Sequence, residues 1–356
     1  MNTEQATTDD KPQPASPPAI KEDAAQPRAT HVIRTFKHGK PLLSARFDPT
    51  GRFVFASGMD YRISRFAFEN GQQTMLPGEH ESWVRGMAFA PDGGTLFTGG
   101  YDGQLIWWAA ADTKPQAVRK IDAHDGWIRE VAVSADGKLV ATCGNDNLVK
   151  LWNTADGGLV HELAGHARHV YNVAFHPDGA ALVSNDLLGN FMHWHVADGR
   201  LVREFRMTQL HQYDDKFRAD IGGARGMAFS PDGTLLAASG ITDVSNAFAG
   251  VGKPTVELID WATGQRVRRY VQKGKGVAWG VGLHADHFIV AAYAGVLLFW
   301  SYTDAKLYHQ AKVGNSAFDL SLHPDGRHVA TAHNDGNVRI SKMARKQPEP
   351  ESSEKA

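Results

Sequence analysis

His124, Thr142 and Asp146 place an imidazole, a hydroxyl and a carboxylate in one short stretch, the groups that a nucleophilic triad combines. In that chemistry the hydroxyl attacks, the imidazole takes its proton and the carboxylate orients the ring. Trp152 closes the stretch. The same residue types recur at His80, Thr98, Asp102 and Trp108 with identical spacing. An active site has no reason to be duplicated in this way. Both sets therefore read as buried hydrogen-bond networks, kept or lost together because a half-satisfied set costs more than it gives. No catalytic residue is assigned. Metal chemistry has as little support: the seventeen histidines are scattered, there is one cysteine, and no paired ligand spacing falls on a helix or knuckle. His193 and His195 flank Trp194 and, on a strand, point to opposite faces. The expectation is a protein with no metal and no cofactor.

A meander must carry these residues. Between His124 and Trp152 lie three short apolar runs, Val131-Ala-Val-Ser, Leu139-Val-Ala-Thr and Leu148-Val-Lys-Leu-Trp152. Turns at Ala135-Asp136-Gly137 and Asn145-Asp146-Asn147 separate them, the pattern of antiparallel strands. The first of these turns recurs along the chain. It appears at Phe47-Asp-Pro-Thr-Gly51, Phe89-Ala-Pro-Asp-Gly93, Val133-Ser-Ala-Asp-Gly137, Phe175-His-Pro-Asp-Gly179, Phe229-Ser-Pro-Asp-Gly233, Leu283-His-Ala-Asp286 and Leu322-His-Pro-Asp-Gly326. Most starts are about 40–45 residues apart, the period of one four-stranded propeller blade. Polar and apolar residues alternate in Gly158–Leu163, Arg200–Phe205 and Gln265–Tyr270, as on exposed outer strands. The first strands, such as Glu130-Val-Ala-Val and Asn172-Val-Ala-Phe, are apolar without alternation, as on inner strands buried on both faces. The fold class is all-β, a seven-bladed β-propeller of four-stranded antiparallel blades.

With these residues in view, the chain resembles the WD40-repeat family over roughly residues 31–344. In that family each regular blade holds a buried set: His ahead of strand a, Ser or Thr in strand b, Asp in the b–c turn and Trp in strand c. Blades 2 and 3 match in full. Blade 4 keeps His166, Ser184 and Trp194 with Leu188 in the Asp place, and blade 1 keeps His38 and Asp60, with Ala56 and Phe66 in the other places. Blade 7 keeps Thr331 and Asp335, blade 6 keeps Trp300, and blade 5 has Ile259 in the Trp place. The Trp-Asp dipeptide itself is absent; Trp152-Asn153 comes nearest. The resemblance implies a non-enzymatic scaffold that binds a protein or peptide, a monomeric propeller within a larger assembly. Two other classes compete: a propeller enzyme, hydrolase or oxidoreductase, with its site at the channel mouth, and a binder of RNA or phosphoinositide.

The ends frame this domain. Residues 1–30 and 345–356 are polar and proline-rich with almost no aromatic content, the composition of disordered tails around a propeller spanning 31–344. The first residues have neither a basic nor an apolar signal region, and no apolar segment approaches the roughly 20 residues of a membrane helix, so a cytoplasmic protein is expected. A formal net charge of -1 exerts no bulk pull on nucleic acid. Cys143 has no partner cysteine and reads as a buried thiol. Blade 7 runs out of chain before a fourth strand, whereas His31–Lys37 resembles the outer strands and precedes blade 1. It is expected to close the ring, which removes an unpaired sheet edge.

Aligning the first strands places one residue per blade at the central rim of the face that carries the d–a and b–c loops. These are Leu43, Arg85, Arg129, Tyr171, Arg225, Trp279 and Phe318. Trp83, Trp127 and His169 lie two positions earlier in blades 2 to 4, and Tyr101, Asn145 and Tyr293 lie beside the b–c turns. Trp, Tyr and Arg are the residues enriched at interface hot spots. Three guanidiniums around one mouth suit a carboxylate, a phosphate or an acidic peptide. The competing reading is that the aromatics only pack and the arginines are paired locally. Two insertions, Met207–Ile221 as a d–a loop and Gly240–Lys253 as a b–c loop, emerge on the same face, where inserted loops often carry binding.

Overall fold

The structure, a computed structural model, describes residues 24–246 and 251–346. Seven four-stranded antiparallel sheets are arranged as the blades of a propeller, with one extra two-stranded sheet. In blade 3, strands a to d are Ile128–Val133, Leu139–Gly144, Val149–Asn153 and Leu159–Leu163. The core lies between blades. Ala141 and Leu151 of blade 3 pack with Val173 and Leu182 of blade 4 in one buried cluster, and each junction repeats the theme. The approach is close enough to require glycine at position 86, where a Cβ would lie 2.7 Å from Val131 Cγ2. The outer strand Ala117–Asp122 alternates along its length, whereas Leu159–Leu163 and Leu201–Arg206 depart from the expected alternation by exposing the adjacent pairs Leu159–Val160 and Leu201–Val202.

The ring closes through the N-terminal strand. Thr30–Lys37 pairs antiparallel with Asn337–Met343, from Thr30 opposite Met343 to Lys37 opposite Asn337. Phe36 is buried in the first inter-blade cluster and stacks on Phe66 at 5.4 Å. The chain is fastened ahead of the boundary expected at residue 31: Pro27–Ala29 forms a 3-10 turn, Gln26 N–H donates to Met343 O at 2.7 Å, and Ala25 N–H to Asp286 at 3.3 Å. The remainder of the two expected tails, residues 1–23 and 347–356, lies outside the described residues.

One irregularity of the inner strands sets up the site. The a–b register shifts between Leu42 and Ser44, Val84 and Gly86, Ile128 and Glu130, Val170 and Asn172, Ala278 and Gly280, and Ala317 and Asp319. The skipped residue is Leu43, Arg85, Arg129, Tyr171, Trp279 or Phe318. A bulge leaves its extra residue outside the ladder and re-aims its side chain, so six blades each turn one rim residue toward the axis. In blade 5, Arg225 sits immediately before strand a, with its N–H donating to Ser239 O at 2.7 Å.

The insertions differ from the loops expected. Gly240–Lys253 is largely a continuation of strands b and c of blade 5, which lengthen to Leu235–Asn246 and Val251–Asp260 and stay paired as far as Thr242 and Lys253 and, after a register shift, at Asn246 and Val251. Met207–Ile221 contains a 3-10 turn, Thr208–Leu210, and most of a hairpin, His211–Asp214 with Ala219–Gly222. The Gln212 amide joins the two insertions. It donates to Val244 O and accepts from Val244 N–H, both at 2.8 Å, standing in for a neighbouring strand.

Candidate functional site

The repeated His–Thr–Asp–Trp sets belong to the scaffold. In blade 2, His80 Nδ1 lies 2.9 Å from Asp102, Nε2 lies 2.8 Å from Thr98 Oγ1, and Trp108 Nε1 donates to that hydroxyl at 2.8 Å. Blade 3 repeats this at 2.9, 2.7 and 2.9 Å. Burial opposes ionisation of Asp102, but hydrogen bonds from His80 and from the Glu81 and Gln104 N–H groups outweigh it and hold the carboxyl below its ordinary value. Thr98 and Thr142 are fully buried and already accept from tryptophan, so neither hydroxyl can reach a substrate.

In the irregular blades the same bonds come from other positions. In blade 4 the carboxylate comes from Asp186, 3.2 Å from His166 Nδ1, and Leu188 leaves no gap. In blade 1 the hydroxyl comes from Ser64 on strand c, 2.7 Å from His38 Nδ1, while Nε2 meets Asp60 at 2.9 Å. In blade 7 the imidazole is His333 at the end of strand b, 2.7 Å from Thr331 Oγ1 and 2.6 Å from Asn315 O, while Asp335 pairs with Arg339. Blade 5 replaces the set with a fully buried carboxylate, Glu257, 3.4 Å from Arg269 and 3.9 Å from Arg266. Neither of its oxygens has a hydrogen bond, and burial pushes its pKa up to about 7 against the pull of the two arginines.

The rim residues converge. Leu43, Arg85, Arg129, Tyr171, Arg225, Trp279 and Phe318, with Trp83 and Tyr101, line a cavity of about 240 Å³ at the channel mouth; Met59 and Ala224, not expected from sequence, complete it. Each of the three guanidiniums lies against an aromatic face of the wall. The Arg129 guanidinium lies 4.8 Å from the Trp127 ring centre and 4.6 Å from that of Tyr171, and Nε donates to Asn145 Oδ1 at 2.7 Å. Trp127 stacks on Tyr101 at 4.3 Å, nearly parallel. Arg225 sits 4.5 Å from Tyr171 and 5.7 Å from Trp279, and Arg85 sits 5.3 Å from Trp279. Gly223 makes room for this packing, because a Cβ there would come 3.0 Å from the Tyr171 ring.

No ion pair involves Arg85, Arg129 or Arg225 among the described residues; the Arg85 head group donates to Leu43 O at 3.2 Å instead. Arg225 Nε is shut off from solvent and has no hydrogen-bond partner. Neighbouring groups register the resulting field. Burial opposes ionisation of the Tyr171 phenol, but Arg225 and Arg129 outweigh it and lower its pKa. Burial, helped by Arg129 and Arg168, lowers the pKa of His169. Trp83 and Trp127 remain 38% and 43% exposed, open to a ligand arriving from solvent.

Arg85 and Arg225 also border the channel below, which widens to about 450 Å³ around Arg46, Glu130 and Asp319. Asp319 contacts Arg46 and accepts from Ser44 Oγ at 2.6 Å. Glu130 stands 4.0 Å from Arg46, and burial raises its pKa to about 7. Sequence reasoning missed this residue, although its place next to bulged Arg129 marks it as facing the channel. Tyr293 is not at the mouth. Its hydroxyl donates to Lys275 O at 3.1 Å, and its ring packs over Gly274 and Gly276 of its own d–a loop. The insertions stand beside the cavity without lining it. Among the described residues, imidazoles converge with a carboxylate in one place, His323, Asp325 and His328, in an a–b turn on the opposite face.

The model of the WD40 family (WD domain, G-beta repeat) matches residues 71–109, 115–153, 157–195 and 308–340. The chain carries WD40 repeats. The first three WD40 matches end in the strands c of blades 2, 3 and 4, the blades whose hydrogen-bonded sets are complete, and the fourth ends in blade 7. Strands a to c of blades 1, 5 and 6 lie outside the matches, in line with the hydroxyl supplied from Ser64, the carboxylate at Glu257 and the lone Trp300. Among curated proteins, none matches the chain. The WD40 propeller is a fold typically used for protein–protein interaction, and no helix among the described residues is long and apolar enough to cross a membrane.

Proposed function

We propose that this WD40 propeller is a non-enzymatic scaffold that binds an acidic segment of a partner protein at the aromatic–arginine mouth, within a larger cytoplasmic assembly. The observation that carries the reading is the set of three guanidiniums that form no ion pair among the described residues, each held against aromatic faces around one cavity. Stacking fixes the orientation of a guanidinium and leaves its edge N–H groups to donate to a carboxylate in a bidentate fork. The flanking Trp83, Tyr101, Trp127, Trp279 and Phe318 supply apolar area for the residues beside the acid. Catalysis has no comparable support, since the repeated hydroxyls are buried.

The test is capture of partners by wild type and by the variant Arg85→Gln/Arg129→Gln/Arg225→Gln, followed by mass spectrometry and titration of the partner identified. The expected outcome is an unchanged circular dichroism spectrum with affinity reduced about 100-fold or more, on the scale of losing two or three charge-assisted contacts. Full affinity in the triple variant places the interface elsewhere. A polyanion ligand is distinguished by salt: six to ten phosphate contacts lose about 10³–10⁵ in affinity between 50 and 200 mM salt, and a peptide held by three arginines loses far less.

A further inference from the structure

The a–b turn of blade 7, His323-Pro-Asp-Gly-Arg-His328, brings two imidazoles and a carboxylate together on the face opposite the mouth. One ligand-type atom from each of His323, Asp325 and His328 lies within 4.8 Å of the others. His323 Nδ1 is 3.0 Å from Asp325 Oδ1, and His328 Nδ1 is 2.7 Å from Oδ2. Part of this arrangement is structural and recurs. His323 Nε2 meets Gly51 O of the next blade at 3.0 Å, as His176 meets Gly233 O at 3.0 Å and His284 meets Gly326 O at 2.6 Å. Each of these stitches puts the proton on Nε2 and turns an unprotonated Nδ1 toward the turn aspartate. A metal-bound imidazole has the same outer partner, a carbonyl that accepts from its other nitrogen and fixes the tautomer.

The corresponding turns of blades 4 and 6 do not assemble this set: blade 4 has one histidine and one aspartate, and in blade 6 the second histidine, His287, packs on Tyr302 with ring centres 5.5 Å apart. Where strand b begins they have Ala181 and Phe288, and blade 7 has His328. The second imidazole is not needed for the stitch. It is buried against Phe68, with ring centres 5.3 Å apart, and faces His323 at 5.6 Å, so it is positioned before any ligand arrives.

We propose that His323, Asp325 and His328 bind a divalent transition-metal cation. Two imidazoles with one carboxylate are the donor set of zinc, cobalt or nickel and not of calcium or magnesium, which take oxygen ligands. Metal–nitrogen bonds of about 2.0–2.1 Å require side-chain rotations that open the 2.7 Å contact between His328 and Asp325 to admit the ion. Asp325 Oδ1 is occupied by the Arg327 and His328 N–H groups at 2.8 and 3.2 Å, so Oδ2 is the oxygen left to ligate. At His323 the metal takes the lone pair that now accepts the Asp325 N–H at 3.0 Å. Three protein ligands leave the remaining coordination open to water.

The test uses the untagged full chain, freed of metal with a chelator and titrated with Co(II) by visible absorption and with Zn(II) by calorimetry. One equivalent of Co(II) is expected to give ligand-field bands that Zn(II) abolishes. His328→Gln and Asp325→Asn, each checked for an unchanged near-ultraviolet circular dichroism spectrum, should bind at least about tenfold more weakly. His176→Gln, which alters the corresponding turn of blade 4, should bind as wild type does. Absence of binding at millimolar Zn(II), or undiminished binding in both blade 7 variants, overturns the proposal.

Discussion

Deleting residues 1–37 is expected to lower the melting temperature by roughly 10 °C or more, the effect of several kcal/mol in a chain of this size. Deleting residues 1–23 should leave it nearly unchanged. The longer deletion removes Thr30–Lys37, the outer strand of blade 7, and with it the pairing that joins the two ends of the ring. Burial of Phe36 accounts for roughly 1.5–3 kcal/mol, and each ladder hydrogen bond adds about 0.5–1.5 kcal/mol net. Asn337–Met343, with Val338 and Ile340 fully buried at present, would become an open sheet edge. The longer deletion should therefore also aggregate on heating. Equal melting of the two shortened chains would mean that the strand does not close the ring.

Glu257→Gln is expected to stabilise the protein at pH 8 and to do little at pH 5. The carboxyl titrates near 4.5 in an unfolded chain and near 7 in the fold, where burial outweighs the attraction of Arg269 and Arg266. Between those values the folded state binds more protons than the unfolded one. Stability from this group is thus fully present below pH 4.5 and is lost as pH rises through 7. A shift of this size corresponds to roughly 3 kcal/mol at pH 8. Glutamine removes the buried charge and with it this part of the slope; Glu130, raised to about 7 in the channel, keeps its own share in the variant. Urea unfolding of both proteins at the two pH values checks this. A stability difference that does not grow with pH would show that Glu257 is charged at no cost in the fold.

The fold was legible because its signals are local. Seven turns built around Asp, most with Pro or Gly beside it and most about 40–45 residues apart, specify strands wherever they occur, and apolar runs beside them separate inner strands from outer ones. The rim residues were legible for a related reason: a bulge at one fixed place in strand a turns the same alignment position toward the axis in six blades. Less was visible where a role is defined in space and not in sequence. Asp186, Ser64 and His333 complete hydrogen-bonded sets from positions that alignment assigns to other duties. Gly240–Lys253 has the glycine, serine and alanine content of a loop, yet pairing with its own partner strand extends it as a ladder. Tyr293 pairs with Ala278 as Gly100 pairs with Val84, so a b–c turn one residue shorter than that of blade 2 sets it one place before the counterpart of Tyr101, a difference that alignment by turn residues hides. The two histidines and one carboxylate of blade 7 show the same limit: a scattered histidine count conceals a turn that brings two of them to one aspartate.

The most direct test of the mouth is selection of peptides from a random display library on the immobilised propeller, with counter-selection on the triple arginine variant. The expected result is a consensus containing at least one acidic residue next to an apolar one, and selected peptides whose affinity falls when Arg129 alone becomes Gln. Enriched peptides without an acidic residue, or peptides that bind the triple variant as tightly as wild type, would contradict an acidic ligand at the aromatic–arginine mouth.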